Sequence, residues 1–152
     1  MTISINGKNY DLEFTFAAAD EKGLVQSMFK VVSGAYMFGG KENADSMAVA
    51  MIDGVAEMVA DLPHICKQAF FAGLKEHDPD ITYDGAVDLM KAYMKENKLS
   101  FNAMYQLLKT QMEEDGFFDL TGITEMLEQM GQKSKKDSKQ AAKQPKKSTG
   151  MN

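Results

Sequence analysis

The segment Met1–Phe16 reads MTISINGKNYDLEFTF, and its alternation of apolar and polar residues predicts a β-hairpin. Asn6 and Gly7 suit a type I′ turn, in which both central residues need positive φ angles. The two-residue loop fixes the expected pairs as Ile5 with Lys8, Ile3 with Tyr10, and Met1 with Leu12. The apolar members of these pairs share one face, which Phe14 and Phe16 are expected to continue. Two strands alone are marginal in water, so helices or another chain must cover that face.

From Ala17 the apolar spacing changes from two residues to about 3.6, which predicts helices. The expected helices are one carrying Leu24, Met28, Val31 and Ala35 and ending at Gly39-Gly40, one over 46–61, one from Pro63 through Leu74, one capped by Thr82, one capped by Ser100 and closed by Gly116, and a short one from about Gly122. The expected inward faces of the two capped helices are Ala86, Leu89, Met90, Tyr93 and Met94, and Met104, Tyr105, Leu108 and Met112. The predicted fold class is α+β and mainly α: an N-terminal β-hairpin, a compact bundle of five or six helices, and a disordered basic C-terminal tail.

The helix expected over 46–61 is apolar nearly all round, apart from an acidic strip of Asp53, Glu57 and Asp61. Such a helix is typically buried or lies at a subunit contact. The strip could be interpreted as paired catalytic carboxylates. Acidic residues four apart on a helix more commonly form a solvated face or a contact for a basic partner.

The distribution of charge divides the chain near Gly131. Residues 1–130 hold 10 Lys and 21 acidic residues, whereas residues 131–152 hold 7 Lys and a single acid, giving the net charge of -5. The late segment contains too few apolar residues to offset the entropy of ordering it. We therefore predict a globular domain over 1–130, with its hairpin at 1–16 and its helical body at 17–130, and a disordered Lys-rich tail over 131–152.

Length and composition favour one soluble domain. The chain has 152 residues, of which 44% are hydrophobic, and no apolar run approaches the roughly 20 residues that a membrane span needs. Cys66 is the single cysteine and cannot form an internal disulfide, and the N-terminus does not resemble a signal peptide. These features predict a cytoplasmic protein.

Motifs for catalysis or metal binding are weak throughout. His64, Cys66 and His77 lack the close grouping of metal ligands. Residues 80–91 imitate a calcium-binding loop but have Lys91 where the final glutamate is needed, so an N-capped turn explains them better. Ser27–Lys30 matches an S-x-x-K motif without its partner motifs. We therefore predict no enzyme activity, no metal and no cofactor.

Two unusual features remain. The chain has 13 Met, and flexible Met-rich surfaces can repack around varied apolar partners, although Met also serves as a core filler. The basic tail carries Lys133, Lys135, Lys136, Lys139, Lys143, Lys146 and Lys147. Charge alone could attract nucleic acid, but the tail has no aromatic residue or arginine and adjoins an acidic body, so a solvated linker is favoured.

Three stretches resemble the tail assembly chaperones of long-tailed, siphovirus-type bacteriophages. They are ISINGKNYDLEFTFAAA at 3–19, DITYDGAVDLMKAYMKENKL at 80–99 and EEDGFF at 113–118. The resemblance covers most of residues 1–130 and implies a non-virion protein that acts in the host cytoplasm. Such a protein binds the tape measure protein, keeps it soluble and promotes polymerisation of the tail tube protein around it.

The resemblance also implies a homo-oligomer and a longer form made by ribosomal frameshifting. Lys135-Lys136 and Lys146-Lys147 can be encoded by adenine runs of the kind on which ribosomes slip. We place the partner contact, with local helix packing as the alternative, at Phe117, Phe118, Met126 and Met130. The alternative functions are a small nucleic-acid-associated regulator that uses the basic tail and a minor structural tail protein.

Overall fold

The computed structural model describes residues 1–38 and 46–142, with side chains at 1–36 and 46–132. Two strands and eight helical segments lie within these residues, three of the helices being single turns of four residues. In chain order they are β1 (Thr2–Ile5), β2 (Lys8–Asp11), α1 (Phe16–Ala19), α2 (Lys22–Val32), α3 (Ala35–Phe38), α4 (Met47–Lys75), α5 (Tyr83–Asn97), α6 (Phe101–Glu114), α7 (Phe117–Leu120) and α8 (Ile123–Ala142). The predicted fold class, a mainly helical protein with an N-terminal hairpin, is confirmed.

The hairpin has the predicted turn and register. Asn6 and Gly7 adopt φ angles of 51° and 78°, as a type I′ turn requires. The three predicted pairs are present: Ile5 with Lys8, Ile3 with Tyr10 and, just beyond the strands, Met1 with Leu12. The apolar face ends at Phe14, which is fully buried, because the next apolar residue begins a helix. The expectation for Phe16 is therefore wrong, since 73% of this residue is exposed.

Helix α4 is one continuous helix of 29 residues where the sequence predicted two. Pro63 lies inside it and removes one backbone N–H, a change that costs about 3 kcal/mol in a helix interior. The helix persists because the residues around and after Pro63 face the core. Those buried are Leu62, Ile65, Cys66, Ala69, Phe70, Ala72 and Leu74. Helices α1, α2, α3, α5 and α6 and strand β2 all contact α4, which is thus the central helix of the fold.

The segment after β2 crosses the C-terminal end of α4 and is fixed there by three backbone amides. The Glu13 amide donates to the Gly73 carbonyl at 2.9 Å, that of Phe14 to the Asp115 carboxylate at 2.8 Å, and that of Ala17 to the Glu76 carboxylate at 2.9 Å. These bonds join the hairpin to α4 and to the end of α6, so the hairpin face is covered by the protein's own helices.

The predicted helix over the early apolar stripe is divided into α2 and α3, and the single turn α1 precedes it. Helix α2 ends at Val32 because Gly34 adopts a φ of 75°, which the following turn requires. Leu24 and Met28 are buried as expected, whereas Ala35 is exposed. The predicted stop at Gly39-Gly40 lies outside the described residues.

Helices α5 and α6 agree with their predicted faces and caps. The side-chain oxygens of Thr82 and Ser100 accept the amide N–H groups of Gly85 and Ala103, at 3.0 and 3.1 Å. In α6 all four residues expected to face inward are buried, and in α5 the expected face is buried or half-buried. The regular 3.6-residue spacing and the capping residues were sufficient to define both helices.

Helix α8 is longer than predicted. The sequence indicated a short helix ending near Gly131, but the helical backbone continues to Ala142, and residues 143–152 lie outside the described residues. Segment 132–142 is rich in Gln, Lys and Ala and free of Pro and Gly, so its intrinsic helix propensity is high although its apolar content is low. Among the described helices, none has the length and hydropathy of a membrane span.

Candidate partner-binding surfaces

The cysteine and histidine side chains considered at the sequence level do not form a site together. His64 and His77 are exposed, while Cys66 is buried in α4 and its thiol donates to the Phe101 carbonyl at 3.4 Å. Burial raises the pKa of Cys66 to about 12, so the thiol stays protonated at neutral pH. Among the side chains described at 1–36 and 46–132, no cluster of three His, Cys, Asp or Glu is suited to hold a metal ion.

The acidic strip of α4 binds the protein's own helices. Glu57 forms an ion pair with Lys30 at 3.3 Å, and Asp61 accepts a hydrogen bond from the Tyr36 hydroxyl at 2.7 Å. The Lys30 ammonium also lies 4.4 Å from the centre of the Tyr36 ring. Burial, followed by the hydrogen bond to Asp61, raises the pKa of Tyr36. These contacts attach α2 and α3 to one face of α4, while Asp53 remains exposed.

The four predicted contact residues do not share one environment. Phe117 is fully buried and packs edge-on against Phe14 with ring centroids 6.2 Å apart, so its expected exposure is wrong. Gly116, at a φ of 73°, turns the chain between α6 and α7 where Phe117 enters the core. Phe118 is half-buried, whereas Met126 and Met130 are 50% and 51% exposed on α8.

Two apolar clefts flank the start of α8, and we call them the α8 clefts. The first, of about 430 Å³, is lined by Val32, Lys109, Glu113, Phe118, Ile123, Thr124, Leu127 and Glu128. The second, of about 340 Å³, is lined by Val25, Gln26, Phe29, Thr121, Gly122, Ile123 and Met126. Ile123 contributes to both clefts and is itself 3% exposed, so the two form neighbouring parts of one surface. Of the predicted contact residues, Phe118 and Met126 therefore line apolar clefts.

The rim of the α8 clefts is predominantly acidic. Glu113 and Glu128 line the first cleft and are exposed, and the Lys109 ammonium lies 3.7 Å from the Glu113 carboxylate. An apolar floor with an acidic rim suits a helix whose apolar stripe is flanked by Lys or Arg.

A second apolar surface lies on the first half of α4, and we call it the α4 surface. Its large exposed side chains are Val49 (46%), Ile52 (68%), Val55 (47%) and Val59 (59%), while Met47 (72%) and Met51 (39%) are exposed on the other side of the helix. Ala56 is also exposed and lies between Ile52 and Val59 on the same side of the helix. The sequence identified this helix as unusually apolar, but periodicity alone could not show which residues remain accessible.

The predicted basic tail begins on the helical backbone of α8. Lys133, Lys135, Lys136 and Lys139 are within that helix, whereas Lys143, Lys146 and Lys147 lie outside the described residues. The helix thus runs from the acidic, cleft-lining part of the domain into a lysine-rich segment.

The function of the two surfaces must be inferred from the chain itself. Comparison of the sequence and the structure with family models, curated proteins and solved structures gives no match.

Proposed function

We propose that this protein is a tail assembly chaperone of a long-tailed bacteriophage. It binds the tape measure protein, keeps it soluble and promotes polymerisation of the tail tube protein around it. The observation that carries the proposal is the pair of apolar α8 clefts, one of which is lined by the half-exposed Met126. The client is the one that the resemblance of residues 3–19, 80–99 and 113–118 to such chaperones implies.

The shape of the α8 clefts supports binding of a helix. The clefts adjoin each other across Ile123, and Met126 and Met130 lie one turn apart on the exposed side of α8. An amphipathic helix places its apolar residues at similar three- and four-residue intervals, so successive side chains can enter neighbouring clefts. The unbranched methionines adapt to clients of differing shape. This arrangement suits a client with a long, repetitive helical sequence.

The chemistry of the site supports reversible holding of the client. Apolar contact and rim carboxylates supply affinity without a covalent step, and the half-buried side chains present a small surface. Small interfaces of this kind are characteristic of transient complexes. The client can therefore pass from the chaperone to tube subunits in the host cytoplasm, and the chaperone is left out of the finished particle.

The test is co-expression of the full chain with the tape measure protein of the same phage. The wild-type chaperone is expected to keep that protein in the soluble fraction and to co-purify with it. The variant M126E/M130E adds one carboxylate in the second cleft and another one turn further along the exposed side of α8, and it is expected to lose both effects. The variant I52E/V59E makes the same change at similarly exposed positions of α4 and serves as the matched control.

Three results would contradict the proposal. The first is a tape measure protein that stays insoluble in the presence of the wild-type chaperone. The second is an M126E/M130E variant that holds it as well as wild type does, while both variants keep the wild-type circular dichroism spectrum. The third is the chaperone itself in purified virions by mass spectrometry, which would favour a structural tail protein instead.

A further inference from the structure

We propose that the outer edge of β1 binds an extended segment of another protein, which adds a third strand to the hairpin. The partner segment is uncharged where it pairs with β1 and carries Lys or Arg at its two ends. The proposal concerns a different part of the molecule from the α8 clefts, and it does not depend on the client that those clefts bind.

The register of the hairpin determines which backbone groups of β1 point away from β2. Met1 exchanges both of its backbone hydrogen bonds with its partner across the hairpin, at 2.8 and 2.9 Å. Because bonded and non-bonded pairs alternate in an antiparallel sheet, Ile3 and Ile5 are bonded to β2 as well. The N–H and C=O groups of the intervening Thr2 and Ser4 therefore point to the outer edge of β1.

The outer edge of β1 is open. Within the part of the chain that the structure describes, the sheet consists of β1 and β2, and both Thr2 and Ser4 are exposed. The Asn6 amide, next in the same alternation, donates to the Glu96 carboxylate of α5 at 3.5 Å. The edge is thus closed at the turn, while two N–H and two C=O groups of β1 are left for a third strand.

The two edges of the hairpin differ in their protection against strand pairing. Natural proteins protect an edge strand with charged residues or with Pro. Strand β2 has the sequence KNYD and carries two charges, whereas β1 has the sequence TISI, with neither a charge nor a Pro. Three of the four residues of β1 are β-branched, which favours pairing in a sheet. The unprotected edge is therefore that of β1.

A cleft beside α6 extends this edge, and we call it the α6 cleft. It has a volume of about 550 Å³ and is lined by Met1, Gln106, Leu107, Thr110, Gln111 and Glu114. Met1 directly precedes β1, and the other lining residues belong to α6. A segment paired with Thr2 and Ser4 can therefore continue over α6, where the largely polar lining suits polar side chains.

Carboxylates lie at both ends of this binding surface. Glu96 is exposed beside the turn, and Glu114 is exposed in the α6 cleft. Among the side chains at 1–36 and 46–132, neither forms an ion pair with Lys or His. Basic residues at the two ends of the partner segment would complement these carboxylates. Backbone hydrogen bonds then supply affinity, and the charged ends fix the position of the segment.

The first experiment titrates the isotope-labelled full chain with the synthetic peptide acetyl-KTVTVTVK-amide and follows hydrogen exchange by NMR. Exchange is expected to slow at Thr2 and Ser4 and to stay unchanged at their cross-strand neighbours Asp11 and Asn9 on the other edge. Four backbone hydrogen bonds of ordinary strength correspond to a Kd on the order of 1 mM. Unchanged exchange at Thr2 and Ser4 well above this concentration, or protection of the β2 edge instead, overturns the proposal.

The second experiment separates backbone pairing from side-chain contact. Two versions of the peptide carry N-methyl groups on alternate amides, one version at even positions and the other at odd positions. Because one set of amides faces β1 and the other faces away, one version is expected to lose at least about tenfold in affinity, while the other binds as the unmodified peptide does. Equal affinities of the two versions overturn the proposal.

The third experiment compares the two edges of the protein with matched variants. Ser4→Pro removes an outward N–H from β1, and Asn9→Pro removes the outward N–H directly opposite on β2. Proline is tolerated in an edge strand where the N–H faces solvent. Ser4→Pro is expected to abolish peptide binding and Asn9→Pro to retain it. Wild-type affinity in Ser4→Pro overturns the proposal, and the methylated peptides test the same bonds without altering the protein.

Other occupants and the α8 clefts give separate results. If a second copy of this chain filled the edge, sedimentation would show self-association of wild type that Ser4→Pro abolishes, and this result overturns the proposal. M126E/M130E is expected to bind the peptide as wild type does. Wild-type chaperone that holds the tape measure protein but not the peptide refutes the β1 edge and leaves the proposed function intact, and the opposite result does the reverse.

Discussion

Gly73→Ala is expected to destabilise the protein although alanine is the better helix former. Gly73 lies in α4 where the hairpin extension crosses it. A Cβ at this position would be 2.9 Å from both Leu12 Cδ2 and Phe14 Cζ. The Glu13 amide holds the crossing segment in place through its 2.9 Å bond to the Gly73 carbonyl. The close approach therefore depends on the absence of a side chain.

The expected loss follows from two opposing effects. Alanine gains about 1 kcal/mol over glycine in a helix interior. Overpacking a filled core costs about 1 to 3 kcal/mol, and the upper end applies here because Leu12 and Phe14 are both fully buried and cannot withdraw freely. The net loss is about 2 kcal/mol, which for a chain of this size lowers the Tm by about 4 to 8 °C.

Thermal unfolding followed by circular dichroism at 222 nm measures this change, with urea unfolding as a second determination. Gly131→Ala is the matched control, because Gly131 is also helical but nothing would lie within 4 Å of the added Cβ. We expect its Tm to be unchanged or raised. A Gly73→Ala protein as stable as wild type would refute the reasoning about the crossing.

Three other predictions follow from buried groups. Phe117→Ala should cost about 3 to 5 kcal/mol in the free energy of unfolding by urea, since its ring is fully buried; a near-neutral effect would return this residue to the surface. Asp115→Ala should cost about 1.5 to 3 kcal/mol in the same assay, because it removes the charged acceptor of the Phe14 amide bond, whereas Asp115→Asn should cost less. Burial raises the pKa of Cys66 from 9.0, and that of Tyr105 from 10.0, in each case to about 12. The unfolded state therefore loses protons first as the pH rises. Stability should fall by about 1.4 kcal/mol per pH unit for each group, between about pH 9 and 12 for Cys66 and between about pH 10 and 12 for Tyr105. Urea midpoints across this range check the slope, and in Cys66→Ala the fall between about pH 9 and 10 should disappear.

Local sequence signals were sufficient for the hairpin and for α5 and α6. The Asn6-Gly7 turn fixes the register, and a register shift of one residue would move every apolar side chain to the wrong face. In α5 and α6 two independent signals agree on where the helix begins. One is the capping residue, Thr82 or Ser100, and the other is the start of the regular apolar face. Each of these features depends on residues close together in the chain.

The structure differs from the sequence-based predictions where contacts between distant residues determine helix continuity and side-chain burial. Pro63 indicated a helix start, but burial of its neighbours keeps α4 continuous. Phe117 follows Gly116 in a polar stretch and resembled a surface residue; its burial depends on Phe14, about a hundred positions earlier in the chain. No local pattern contains that information, and the accessible side of α4 was hidden for the same reason.

The two halves of α4 have different surroundings in the fold. Its second half is the core, so it cannot move without unfolding the domain. On its first half, Glu57 and Asp61 hold α2 and α3 on one face and thereby keep the α4 surface facing outward. Two residues of the acidic strip that resembled a catalytic carboxylate pair thus attach α2 and α3 to the central helix.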